Sequence, residues 1–170
     1  SFSKLTRVDV TLGPEMKSTG EVMGKDSTLE KALYKGLIGA GRKVPLHGSI
    51  LFTIDDVNKP EAAKLAKRFY DIGFKIWATR GTSRYFNELN IPTKIGYKIE
   101  EETENLISLI QKGKVQYVVN TTTKGKQSMN DGFLIRRTSV ENGVPCLTSM
   151  DTVEAILKVV ESMSFKMQAM

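Results

Sequence analysis

The chain has 170 residues, 40% of them hydrophobic, and a formal net charge of +6, which suits one sizeable core with some additional segment. Its basic residues are scattered from Lys4 to Lys166 with no Lys/Arg block and no basic-aromatic interleaving, a pattern that argues against nucleic acid as the partner and leaves small anionic ligands. A single cysteine, Cys146, and a single histidine, His47, exclude a disulfide framework and a histidine- or thiolate-rich metal site, fit a reducing cytoplasm, and are joined by no apolar run near the roughly 20 residues of a membrane span.

The chain opens at SFSKLTRVDV without an initiator Met and is expected to be a fragment. Residues 1–26 contain Gly13-Pro14 and Ser18-Thr19-Gly20 and hold no sustained period, so they read as an irregular lead outside the main core. In residues 27–38, STLEKALYKGLI, one helical face collects Leu29, Ala32, Leu33, Gly36 and Leu37, with Ser27 as a start signal and Gly39-Ala40-Gly41 as a stop. Residues 27–44 are therefore expected to be a connecting helix and linker.

From residue 45 the texture changes to strands alternating with helices. SILFTI (49–54) predicts a first strand, and PEAAKLAKRFYDIG (60–73) a helix with Pro60 near its start, Leu65 and Phe69 inward and Gly73 at its end. Residues 74–78 are short, apolar and aromatic, a second buried strand. Tyr85, Phe86 and Leu89 stand at helical spacing after the N-cap candidates Thr82 and Ser83, with Asn90 and Pro92 as stops, so residues 83–89 predict a short helix. A brief third strand over 93–95, a helix over about 103–111 ending at Gly113, a fourth strand VQYVVN (115–120), a helix within about 132–142, a fifth strand PCLTS (145–149) and a closing helix from 152 to about 162 complete the pattern. Such alternation requires right-handed crossovers that cover both faces of a parallel sheet. The fold class is α/β: a three-layer α/β/α Rossmann-like domain over residues 45–170 with a five-stranded parallel sheet.

In such sheets ligands gather beyond the carboxyl ends of the strands. The exit loops there carry Asp55-Asp56-Val57-Asn58-Lys59, Thr79-Arg80-Gly81-Thr82, Gly96-Tyr97-Lys98 and Asn120-Thr121-Thr122-Thr123. The second of these runs from a strand into a helix N-terminus, where unpaired N–H groups and the positive dipole end meet and Gly81 lets a ligand come close: an anion seat. Lysine supplies charge and threonine hydroxyls supply direction for a phosphate, while the Asn120 amide can both donate to and accept from a ribose or base. Taken singly, each has a plainer reading, Thr79 to Thr82 as a helix cap, Lys59 and Lys98 as solvated lysines, Asn120 to Thr123 as a polar strand exit; their coincidence on one edge carries the inference.

The order Lys59, Thr79-Arg80-Gly81-Thr82, Lys98, Asn120-Thr121-Thr122 on alternating strands resembles the methylglyoxal-synthase-like domain that ends the large subunit of bacterial carbamoyl phosphate synthetase. LGPEMKSTGEVMG (12–24) resembles the last stretch of that subunit's second ATP-grasp synthetase unit, and FLIRRTSVENGVPCLTSMDT the final helix and strand of the same domain. The resemblance implies an allosteric module that binds nucleotide monophosphates, uridine monophosphate as inhibitor and inosine monophosphate or phosphoribosyl pyrophosphate as activator, in an enzyme of pyrimidine and arginine biosynthesis. It implies effector positions at Lys59, Thr79, Thr82, Lys98, Asn120 and Thr122, the lysines and threonines on the phosphate and Asn120 toward the nucleoside. Arg80 stands where relatives often carry His. Of the family's ornithine site Thr148 matches, Cys146 replaces a Tyr, and an acidic residue would precede Ser1. No cofactor is implied for this fragment; ATP with Mg2+ (or Mn2+) and K+ belongs to the parent enzyme. The implied partners are the rest of the large subunit and the small glutaminase subunit, with oligomerisation through this domain left open and neither nucleic acid nor membrane.

Methylglyoxal synthase shares the fold and is the competing reading, a phosphate lyase acting on dihydroxyacetone phosphate. It needs a carboxylate base and a histidine; by alignment these positions fall near Thr103 and Ser128, neither of which can take the role. Glu101, Glu102 and Glu104 lie near the first in sequence, and His47 is expected at the opposite end of the first strand.

Overall fold

The computed structural model describes residues 44–97, 105–121 and 126–169, with side chains described for all of these except 126–130 and 166–169. The irregular lead, the connecting helix over 27–38, Lys98, Thr103, the three glutamates around it and Thr122 lie outside the described residues.

Five short strands form one sheet: β1 (Ser49–Thr53), β2 (Lys75–Ala78), β3 (Lys94–Ile95), β4 (Tyr117–Asn120) and β5 (Cys146–Leu147), in the order β3-β2-β1-β4-β5. Every pairing is parallel, with Leu51 opposite Trp77 on one side and Val118 on the other. Between them run α1 (Lys59–Asp71), α2 (Arg80–Glu88), α3 (Leu106–Gln111) and α4 (Lys126–Glu141), and α5 (Met150–Ala169) closes the chain. The all-parallel sheet expected from the alternation is present.

Strands β1, β4 and β5 are buried along their length because both faces are covered, while the edge strand β3 is exposed. Ile50, Phe52, Ile76, Ala78, Tyr117, Val119 and Leu147 point to one side and pack with Leu65, Phe69 and Phe86 of α1 and α2 and with Val153, Ile156 and Val160 of α5. Their alternates Leu51, Val118 and Cys146 point to the other and meet Leu106, Ile110 and Ile135 of α3 and α4. Period two in the strands and two helix layers thus account for each other. Edge-to-face ring pairs, Phe52 with Phe86 at 5.4 Å and Phe69 with Phe74 at 5.1 Å, lock α1 and α2 onto the first face. Gly73, at φ +101°, turns α1 into β2, a conformation that L side chains rarely adopt.

Helix limits differ from the sequence expectation at several points: α3, expected from about 103, starts at Leu106 under an Asn105 cap, and three others have a local reason. α2 starts at Arg80, before Ser83, with Thr79 extended at φ −63°, ψ 162° as the residue that leads in. α4 starts at Lys126 and carries Gly132 inside it; a Cβ there would stand 3.3 Å from Asn120 Nδ2, so this glycine serves close packing and does not end the helix. α5 runs on to Ala169, since no Gly or Pro follows Pro145 to stop it.

Candidate functional site

The order β3-β2-β1-β4-β5 reverses direction between β1 and β4, and the crevice beyond the carboxyl ends of these strands is the ligand position in open α/β sheets. Four exit segments meet there, and hydrogen bonds between strands fix their relative placement. Thr121 N donates to Thr53 O (3.1 Å), Thr79 N to Phe52 O (3.3 Å) and Gly96 N to Ala78 O (2.8 Å).

The loop after β1 is shaped by Asp55. Its Oδ1 accepts from Asn58 N (3.3 Å), Asn58 Nδ2 (2.7 Å) and Thr121 Oγ1 (3.1 Å), and Asp55 N donates to the same hydroxyl (2.9 Å). One carboxylate therefore holds a 3-10 turn over Asp56–Asn58 and ties β1's exit to β4's. The turn delivers Lys59 at the head of α1, where Pro60 costs no hydrogen bond because the first helical N–H groups have no partner inside the helix.

Lys59 then reaches the next loop. Its side chain is 16% exposed, its ammonium pairs with Asp56, whose side chain is 94% exposed, and Nζ stands 3.6 Å from where a Cβ on Gly81 would lie. Lys59 pairing holds the Asp56 carboxyl below its ordinary range, first by hydrogen bond and then by charge. The lysine expected to act with the Thr79 to Thr82 turn is thus placed against it. In that turn Thr79 Oγ1 donates to Thr82 Oγ1 (3.2 Å), and Thr82, 1% exposed, directs its own hydroxyl toward Ile54 O at 3.5 Å. Thr79 makes no side-chain cap on α2's first turn, where N–H groups have no partner inside the helix and the positive dipole end lies. Glycine at 81 adds no side chain there.

Arg80 leans to the other flank of the same turn. Its guanidinium carbon lies 5.2 Å from the centre of the Tyr97 ring, and Tyr97 is itself anchored through its carbonyl, which accepts from Leu106 N (3.0 Å). This contact needs β3 beside β2 and left no mark on the sequence beyond an arginine and an aromatic residue in two neighbouring exit loops.

Asn120 sits deeper than the others. It is 4% exposed; its Oδ1 accepts from Thr53 Oγ1 at 2.6 Å and its Nδ2 points to Gly132 O at 3.5 Å. The amide that was expected to face a nucleoside is shared with β1 and α4, leaving it part of its capacity for a ligand. Thr148 lies apart, at β5's end; its Oγ1 is shielded from solvent without a hydrogen-bond partner among the described residues. The neighbouring Cys146 is fully buried, and burial pushes its thiol up to about 12, against the smaller opposing pull of Arg136 and Ser139. His47 precedes β1, exposed at the opposite edge of the sheet, as expected. Among the described residues no group of three or more His, Cys, Asp or Glu side chains is placed to hold a metal ion, and no helix is long and apolar enough to cross a membrane.

Residues 61–148, just over half of the chain, match the family model of the MGS-like domain. The chain belongs to the MGS-like domain family. The match runs from the first turns of α1 to the end of β5 and takes in the exits of β2, β3 and β4, while β1 and its exit loop through Lys59 precede the matched span. Of the expected site residues, Lys59, Thr79 and Thr82 converge on one turn, Asn120 stands behind them in the sheet, and Thr148 is separate.

Proposed function

We propose that this MGS-like domain is the carboxy-terminal allosteric domain of a carbamoyl phosphate synthetase large subunit, and that it binds a nucleotide monophosphate at the carboxyl edge of its sheet without transforming it. In this reading Lys59, Thr79, Thr82 and Lys98 take the phosphate, and Asn120 and Thr122 lie toward the nucleoside. Residues 1–26 are the tail of the second ATP-grasp unit and residues 27–44 the connector; ATP, its divalent metal and K+ act in the parent enzyme, whose other parts are the remaining large subunit and the glutaminase subunit. The observation that carries the reading is the Lys59 ammonium set against Gly81 at the N-terminus of α2, a charge and a row of backbone donors aimed at one point. An effector held there can govern distant chemistry only through different affinities for two states of the whole enzyme, with coupling of about 1–3 kcal/mol being typical.

Calorimetry tests the assignment: uridine monophosphate binds the chain, and Thr82→Ala and Lys98→Ala each weaken it. Unchanged affinity in both variants refutes the site. The second reading, a methylglyoxal synthase, is carried by the family match itself and by Asp55, a carboxylate on the same edge. Proton release from dihydroxyacetone phosphate above background would revive it.

A further inference from the structure

We infer that residues 27–38 dock as a helix, apolar face inward, on the amino edge of the sheet between the ends of α1 and α5, where Leu46, Ile72, Met163 and Phe165 stand. The inference is independent of the effector reading, since it concerns the edge opposite the anion seat.

The rim is built by two helices that run the same way. α1 follows β1 and α5 follows β5 in an all-parallel sheet, so both travel from the carboxyl edge to the amino edge. Arg68 of α1 donates to Glu161 of α5 through Nη2 (2.6 Å) and Nε (3.3 Å), which sets these two residues level. One turn further on, both helices turn apolar: Ile72 is the C-cap of α1, and Phe165 stands on the Glu161 side of α5. At 1.5 Å per residue α5 then continues about 6 Å past the end of α1. Phe165 is 72% exposed there, beside Leu46, Ile72 and Met163, which are only partly covered where they pack on the core of this face. Single exposed apolar residues are ordinary, but a bare phenylalanine next to three half-covered neighbours is a contiguous patch.

The occupant follows from where the chain enters. Val44 is buried in the same core, and Tyr117 Oη donates to Pro45 O (2.8 Å), with the Tyr117 ring 6.4 Å from Phe69 in the last turn of α1. Residue 44 is therefore pinned beside the rim. From Ile38 to Val44 the chain takes six steps, which reach at most about 21 Å when fully extended, and the carboxyl edge lies a further strand length away. The amino edge is the one within easy reach. Leu29, Leu33 and Leu37 fall at i, i+4 and i+8 on one face of residues 27–38, and a helix of this length is marginal in water unless that face is packed. Two apolar surfaces that each lack cover are thus joined by a short tether. The exposed Phe133, on α4, belongs to the layer over the other sheet face and is not the docking place. Docking of this kind holds residue 27, and whatever precedes it, across the full length of the strands from the Lys59 to Gly81 turn.

The test is cross-linking in the full 170-residue chain. Phe165→Cys is paired with Leu29→Cys, Leu33→Cys or Leu37→Cys and treated with a short bismaleimide; the native Cys146 is buried with its thiol pushed up to about 12 and stays silent. At least one pair is expected to close within a single chain. Phe165→Cys with Lys31→Cys, on the opposite side of residues 27–38, should not close, nor should Phe133→Cys with Leu33→Cys. Urea unfolding supplies the second readout: Phe165→Ser and Leu33→Ser should each lower the midpoint, and the double variant should fall little further than the worse single one, as for residues in contact. Cross-linking no faster with the three leucine positions than with Lys31→Cys, or strictly additive losses, overturns the inference. Cross-linked dimers in place of closed monomers would give the rim to a second copy and overturn it too. Neither result touches the effector reading, which calorimetry with uridine monophosphate reads separately.

Discussion

Lys59→Met separates ligand binding from folding. Methionine keeps most of the apolar stem of the largely buried Lys59 side chain and deletes the charged head. The pair lost with Asp56 is solvent-facing, and such pairs contribute little to stability. The midpoint of urea unfolding should accordingly stay where it is. Binding should not. A charge-assisted hydrogen bond is worth about 1.5–3 kcal/mol, so removing the ammonium beside Gly81 should weaken phosphate binding by roughly 10- to 150-fold, with the heat of binding reduced and the salt dependence shallower. Lys67→Met is the control, since that lysine lies on the same helix but pairs with Asp71 at its far end; its affinity should match the wild type. Equal affinity in Lys59→Met and Lys67→Met, with both chains folded, would show that the ammonium faces no ligand and that the seat is wrongly placed.

Three further outcomes follow from the same geometry. Gly81→Ala should leave thermal stability unchanged or slightly raised, since its Cβ meets only Lys59 Nζ at an ordinary 3.6 Å and alanine is the better helix former; its affinity for uridine monophosphate should nevertheless fall, and undiminished affinity would mean that the ligand does not approach this turn. Asn120→Ala should destabilise the fold by about 1–3 kcal/mol in urea unfolding, because the Thr53 hydroxyl loses its 2.6 Å partner inside the core. Adding Thr53→Val should recover part of that loss, and strictly additive effects would deny the bond its role. Cys146, with its thiol raised from 9.0 to about 12 by burial, sets an alkaline limit: its folded value lies above its unfolded one, so its contribution is intact below pH 9 and is lost as pH rises from about 9 toward 12, by up to about one kcal/mol per pH unit. Cys146→Ala should flatten part of that decline and leave the rest to Tyr117, whose hydroxyl is also raised by burial; an unchanged alkaline profile would refute it.

The sheet was legible because its central strands β1 and β4 are buried on both sides. SILFTI, FKIWA and VQYVVN are runs that only a covered parallel sheet can hide, and each became a strand within a residue or two of the expected limits. Strand order was a different matter, since nothing in the runs themselves says that β4 lies beside β1. The helix limits erred where one residue answers to a distant contact. Thr82 and Ser83 read as N-cap residues, yet α2 starts at Arg80 and takes in Gly81, whose Cβ position lies 3.6 Å from Lys59 Nζ. Gly132 stands at the expected limit of the fourth helix, yet it lies inside α4 against the Asn120 amide. At the site the convergence of Lys59 on the Thr79 to Thr82 turn followed from the rule that ligands sit at strand exits. The Arg80 to Tyr97 stack and the Asp55 to Thr121 bridge did not, because each joins residues that become neighbours only once the strand order is known.

Among the described residues, Asp55 is the carboxylate tied into this edge, and its bonds bear on whether it can act as a base. Proton abstraction beside a carbonyl needs a base within about 3 Å of the carbon acid and able to change partners during the reaction. Asp55 is placed at the right edge, but Oδ1 carries three bonds at once, to the main chain and side chain of Asn58 and to Thr121. Taking a proton there would loosen the 3-10 turn that carries Lys59 to Gly81 and the bond that ties β1 to β4. That network suits a fixed structural role better than a base that must change partners. In the proposed binding reading the same network has a use, for it would deliver Lys59 in position before a ligand arrives and so lower the ordering cost of gripping it.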